Sequence, residues 1–238
     1  MKRLPILLSL VLMSCWVCAQ EPLIIAAGAG YKKPLLKLYQ AFSDSSAIAI
    51  TPVFGNMRAV IAQSKASGRV ALAIGDRAML SASGLYQEMI ELGQGRLVLA
   101  WAGPPPDRGI DALLDESLGR IAMPDPNKAI YGRAAEQFLI NSGLHERLAP
   151  RLLVLATVPQ VSSHLVARSV EAGFINLTDA LALRERIGGY SEVSMDQYEP
   201  IRIVAAVVKG ESARQEVRQF IDFLASPDSR DLLREAGL

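Results

Sequence analysis

The amino-acid sequence predicts an α/β fold of two lobes, each a mostly parallel sheet flanked by helices, with two crossing segments as the hinge. Three observations predict it. Apolar runs of strand length alternate with segments of helical period. The run at 96–102 stops at Gly103-Pro104-Pro105-Pro106, and a triproline can continue neither a helix nor a central strand. The same strand–turn–helix grammar then restarts at Arg120, and a long apolar run at 201–208 leads back. This reading assigns 20–102 and 209–238 to lobe 1, 103–200 to lobe 2, and 201–208 to the return crossing.

In lobe 1 the predicted strands are 23–27, 48–54 and 70–74, ended by Gly28, Gly55-Asn56 and Gly75-Asp76. A helix at 34–43 places Leu35, Leu38, Tyr39 and Phe42 on one face, and a second helix spans 57–65. In lobe 2, strands are predicted at 120–123, 152–155 and 173–177, with helices at 129–142 and 161–169. The chain closes with an amphipathic helix at 217–224 and a last helix toward Arg234. Ser226 is its N-cap and Pro227 its first residue.

The first nineteen residues read as a signal peptide. Lys2 and Arg3 precede an apolar stretch at 4–13, and Val17-Cys18-Ala19 offers a small-x-small cleavage site before Gln20. Leu12-Met13-Ser14-Cys15 offers a rival, lipoprotein-type site that would leave Cys15 lipidated. Both cysteines lie in this leader, so cleavage after Ala19 would leave no disulfide, thiolate nucleophile or cysteine metal site. The expected location is the periplasm. A formal net charge of +1 argues against a nucleic-acid partner.

The predicted lobes place their candidate site residues at strand ends beside helix starts. Pro22 to Pro34 reads as a strand, the Gly28-Ala29-Gly30 turn and a helix start. Helix-start N–H groups lack partners and carry partial positive charge, so such a turn can hold an anion without a charged side chain. Lys32 and Lys33 at that start oppose the dipole, so another interaction must explain them; Lys32 either attracts an anion or is solvated. Asn56 either donates to a ligand or caps the second helix. Met57 reads more readily as core, Asp76 as an N-cap, Arg133 as a surface arginine and His164 as an ordinary helix residue.

These loops resemble those of the periplasmic substrate-binding proteins of molybdate and tungstate uptake systems. The resemblance rests on Ala26-Ala27-Gly28-Ala29-Gly30, Val53-Phe54-Gly55-Asn56-Met57, Asp125-Pro126 with Ile130 to Ala135, and Phe220 to Pro227. It implies a type II periplasmic-binding-protein fold and a monomer that captures a small oxyanion and docks to the membrane permease of an ABC transporter. No cofactor, metal or enzymatic activity is implied. By position, the family's oxyanion contacts fall on Gly30, Met57, Ala129 or Ile130, Val161 and Asn176; with the neighbouring Ala29 and Asn56, the binding candidates are Ala29, Gly30, Asn56, Met57, Ile130, Val161 and Asn176. The family's two serines and its tyrosine fall on Gly30, Met57 and Asn176, so its three side-chain hydroxyls are missing.

Two other readings stay open. One is the same clamp as a sensor or as the holder of a different small ligand; the other is a secreted hydrolase. Against the last, there is no nucleophile elbow, Walker spacing or dinucleotide fingerprint, and two histidines make no metal constellation.

Overall fold

The computed structural model describes residues 21–238 apart from Glu116. The predicted signal peptide and Cys15 lie outside the described residues. Strands and helices alternate as expected, and they form two five-stranded sheets, one per lobe.

Lobe 1 opens with β1 (Leu23–Gly28), a single 3-10 turn at Ala29–Tyr31 and α1 (Lys32–Ser46). Then come β2 (Ile50–Gly55), α2 (Met57–Ser67), β3 (Val70–Asp76), α3 (Arg77–Ala82) and β4 (Tyr86–Gly95). Lobe 2 contains β5 (Leu97–Trp101), β6 (Ile121–Pro124), α4 (Ile130–Asn141), α5 (His145–Leu148) and β7 (Leu152–Leu155). It continues with α6 (Val158–Val166), β8 (Ala172–Asn176), α7 (Leu177–Ala182) and β9 (Gly189–Glu192). The chain returns through β10 (Ile201–Val208) to α8 (Gln215–Leu224) and α9 (Pro227–Glu235).

The two sheets share one topology. Their orders are β2-β1-β3-β10-β4 and β7-β6-β8-β5-β9. In each, three strands run parallel, and the remaining two pairings are antiparallel. The sheets are therefore mixed, where a mostly parallel sheet was expected. The fourth strand of each sheet arrives from the other lobe and runs against its neighbours.

The crossings also differ from the expected boundaries. β5 pairs with β8 and β9 of lobe 2, so the first crossing lies at Arg96, before the triproline. The return strand β10 lies inside the lobe 1 sheet, between β3 and β4. One residue separates β4 from β5, so the passage between sheets carries no loop composition that a sequence could advertise.

Local signals set the helix ends. Asn56, Asp76, Thr157 and Ser226 each accept a backbone N–H from the first turn of the helix they precede. Apolar stripes then fasten the helices to the sheets. Leu35, Leu38, Tyr39 and Phe42 of α1 are buried as predicted, and Phe42 meets Phe220 of α8 edge-on at 5.1 Å between ring centres.

Candidate functional site

Four helix starts meet between the lobes. Ala29 and Gly30 precede α1, and Asn56 and Met57 begin α2, both in lobe 1. Ala129 and Ile130 begin α4, and Thr157 and Val158 begin α6, both in lobe 2. Together with Tyr31 and Tyr131 they line a cavity of about 20 Å³. That is room for about one water molecule. Each helix contributes roughly half a positive charge at its N-terminus, so the cavity lies at the meeting of four such ends.

The nearby side chains leave this field uncompensated. The buried carboxylate of Asp76 accepts the N–H of Met79 and pairs with Arg133 at 3.0 Å. Burial raises the pKa of Tyr31 well above the usual phenol value, with the neighbouring Tyr131 adding to the shift. Burial likewise pushes Tyr131 up. Both phenols are therefore neutral at ordinary pH.

The seven sequence-predicted residues separate into three groups. Ala29, Gly30, Asn56, Met57 and Ile130 are brought together around the cavity. Asn176 lies beside it: its Nδ2 donates to the Gly30 carbonyl at 3.0 Å, while its buried Oδ1 has no partner among the described residues. Val161 lies away from the cavity lining, and its N–H donates to the Thr157 carbonyl at 3.3 Å. The reason is that α6 starts at Val158, three residues before the predicted start, so Thr157 and Val158 occupy the helix-start position facing the cavity. The signal for this was present in Thr157-Val158-Pro159-Gln160, a capping box in which Thr157 and Gln160 bond reciprocally.

The open alternatives resolve as follows. Asn56 caps α2, its Oδ1 accepting the Ala59 N–H at 2.9 Å. Met57 is both buried and part of the lining. Its thioether lies over Gly75, where an added Cβ would collide with the sulfur and the terminal methyl. Gly75 is thus the slot that receives the methionine tail. Asp76 caps α3 as read. Arg133 is not a free surface arginine, because its guanidinium is tied to Asp76 of the opposite lobe. His164 bonds Ser169 at 2.7 Å, and no cluster of three metal-ligating His, Cys, Asp or Glu side chains occurs among the described residues.

The lobes contact each other directly around the cavity. Tyr31 and Tyr131 share a hydrogen bond of 2.5 Å between their hydroxyls. Lys33 reaches across to buried Asp179 at 3.0 Å, and Asp179 also accepts a short hydrogen bond from Ser162. The Arg58 N–H donates to the Lys128 carbonyl at 3.4 Å. With the Asp76–Arg133 pair and the Asn176–Gly30 bond, these contacts join the two lobes across the cleft. None of these pairs is adjacent in sequence, so spacing alone could not reveal them.

Comparison with known proteins agrees with this geometry. A family model described as bacterial extracellular solute-binding protein matches residues 23–238. The molybdate-binding protein ModA of Rhodobacter capsulatus is 29% identical over 147 residues, which cover 60% of this chain and 56% of that protein. The chain thus spans about half the length of the curated relatives it matches first. The periplasmic molybdate-binding protein of Azotobacter vinelandii superposes with a TM-score of 0.83 at 22% identity, covering 90% of this chain and 97% of the other. The sulfate-binding protein SubI of Mycobacterium tuberculosis H37Rv gives 0.73 at 15% identity, covering 91% and 85%. At such identities the structural likeness establishes the two-lobed type II fold. The match over residues 23–238 establishes the family: the chain belongs to the bacterial extracellular solute-binding proteins.

Proposed function

We propose that this chain is the periplasmic solute receptor of an ABC uptake transporter, and that it captures a small oxyanion, molybdate or tungstate, between its lobes. The observation that carries this reading is the meeting of four helix starts at one cavity, two from each lobe. Helix-start amides and the positive ends of helix dipoles favour an anion there. An anion bonded to donors from both lobes stabilises the closed cleft, since a ligand shifts the equilibrium toward the state it binds better. Closure removes water, which strengthens each amide–anion interaction. The closed receptor, acting as a monomer, then docks to a membrane permease. The relatives named for molybdate support the choice of ion.

A tetrahedral ion is larger than the single water that the cavity of about 20 Å³ holds. Its entry requires the lobes to part slightly or the Met57 tail to withdraw further. With backbone amides as the chief donors, selectivity rests on cavity size and donor number.

A second reading keeps the clamp and changes the solute. It is favoured by Met57, an apolar residue lining the cavity at a position where the resembled family carries a serine. A thermal-shift panel of molybdate, tungstate, sulfate, phosphate and chromate separates the two. At a hundred times its dissociation constant, a ligand raises stability by about 2.7 kcal/mol. Shifts with molybdate and tungstate but not sulfate support the first reading. No shift with any oxyanion selects the second.

A further inference from the structure

We propose that the cleft holds a second anion site, beside the helix-start cavity, which takes an organic anion carrying carboxylate or phosphate groups between Lys32 and Arg186. A second cavity, of about 340 Å³, lies between the start of α1 and the α6–α7 face. It shares Ala29 with the helix-start cavity. Its volume falls in the range of pockets that seat whole small molecules, roughly 300–1,000 Å³.

The charge of this cavity is one-sided. It is lined by Lys32, Lys33 and Arg186 against the single carboxylate of Asp179. That carboxylate is already satisfied by Lys33 at 3.0 Å and by the Ser162 hydroxyl. Lys32 and Arg186 form no ion pair among the described residues. Lys32 lies over the Phe54 ring at 5.9 Å, a contact that leaves its charge unneutralised.

This arrangement accounts for an oddity of the sequence. A lysine at a helix start opposes the dipole. Lys33 is explained by its bond to Asp179, which leaves Lys32 without a structural partner of opposite charge. An anion in the cavity supplies one. Lys32 belongs to lobe 1 and Arg186 to lobe 2, so an anion between them bridges the lobes and favours closure. The guanidinium suits a planar carboxylate or a phosphate, each of which it can bind through two N–H groups.

The inference rests on the cleft being a ligand site and is independent of which oxyanion the helix starts hold. Calorimetric titrations of the wild type and of Lys32→Gln/Arg186→Gln test it, with citrate, glycerol 3-phosphate and inorganic phosphate at constant ionic strength. A separate molybdate titration reads the neighbouring cavity. Unchanged far-UV circular dichroism and Tm establish that the variant is folded. The expected result is that citrate or glycerol 3-phosphate binds the wild type and loses at least tenfold in affinity in the double variant, with molybdate affinity kept within about twofold. Binding of citrate marks a carboxylate ligand, and binding of glycerol 3-phosphate an organic phosphate. The proposal is overturned if neither organic anion binds, if the variant binds them as well as the wild type, or if only inorganic phosphate responds. Absence of molybdate binding to the wild type would count against the oxyanion reading and leave this proposal standing, whereas loss of molybdate binding only on substitution would show that Lys32 and Arg186 serve the helix-start cavity and would overturn the second site.

Discussion

The hydroxyl oxygens of Tyr31 and Tyr131 lie 2.5 Å apart, one from each lobe, at the point where the chain first passes between the sheets. A Cβ on Gly95, the last residue of β4, would fall 3.0 Å from the Tyr31 hydroxyl and collide with that of Tyr131. The pair is therefore a pin set against the hinge, and glycine at 95 makes room for it. Replacing one phenol with phenylalanine leaves the other hydroxyl buried and unpaired, at a cost of about 1–3 kcal/mol. Tyr31→Phe/Tyr131→Phe should cost less than the sum of the two single variants, because it leaves no orphan. Urea unfolding of the four proteins measures the coupling, and strict additivity would remove the pin.

The same pair predicts an alkaline limit. Burial raises both phenols above the ordinary value, with each near the other. The folded state keeps protons that the unfolded chain releases near pH 10. Stability from these groups is therefore complete below about pH 10 and is lost as pH rises beyond it, by up to about 1.4 kcal/mol per pH unit for each tyrosine. The double phenylalanine variant should show a shallower loss than the wild type between pH 9.5 and 11. Parallel slopes would contradict the assignment.

Asp76 and Arg133 join the lobes through a carboxylate that is only 1% exposed. Arg133→Met strands that charge, and breaking such a pair costs about 3–5 kcal/mol. The exposed flank of Arg133 and the Met79 N–H, which still caps the carboxylate, place the cost toward the lower end. Small-angle scattering should show a larger radius of gyration for this variant, as the cleft opens. An unchanged radius with a large loss of stability would make the pair a strut within the fold and not a latch.

Met57 and Gly75 should act as a unit. Gly75→Ala drives the methionine tail from its slot toward the cavity, with small cost because the displaced atoms end a flexible side chain. Its Tm should stay close to wild type while oxyanion binding is lost. Met57→Ser adds a hydroxyl and space, costs about 2–4 kcal/mol as a large-to-small core change, and should tighten oxyanion binding. In the double variant the alanine no longer displaces anything, so binding should return. Loss of binding in the double variant would show that Gly75 acts otherwise than through Met57.

Much of the fold was legible because the parallel strands of lobe 1 are short, largely apolar runs closed at or beside a glycine, as at Gly28, Gly55 and Gly75; β1 and β3 are buried and β2 is a partly buried edge strand. β4 was not legible. Tyr-Gln-Glu-Met-Ile-Glu-Leu-Gly-Gln-Gly lies at the edge of its sheet with only its first and last residues buried, and it has neither a continuous apolar run nor clean alternation. The crossing at Arg96 was missed for a related reason: it is a single polar residue between two strands, while the triproline downstream gave a stronger but misplaced signal. Within the candidate site, helix-start residues such as Gly30, Asn56 and Ile130 could be read from local grammar. Tyr31 with Tyr131, and Asp76 with Arg133, could not, because only tertiary structure brings them together.

The most direct test of the central claim is where an oxyanion sits. Tungsten scatters anomalously, so crystals grown with tungstate mark its position. The account predicts one strong anomalous peak in the helix-start cavity, within bonding distance of backbone N–H groups near Gly30, Met57, Ile130 and Val158. A peak elsewhere on the protein, or none at a tungstate concentration that saturates binding, would contradict it.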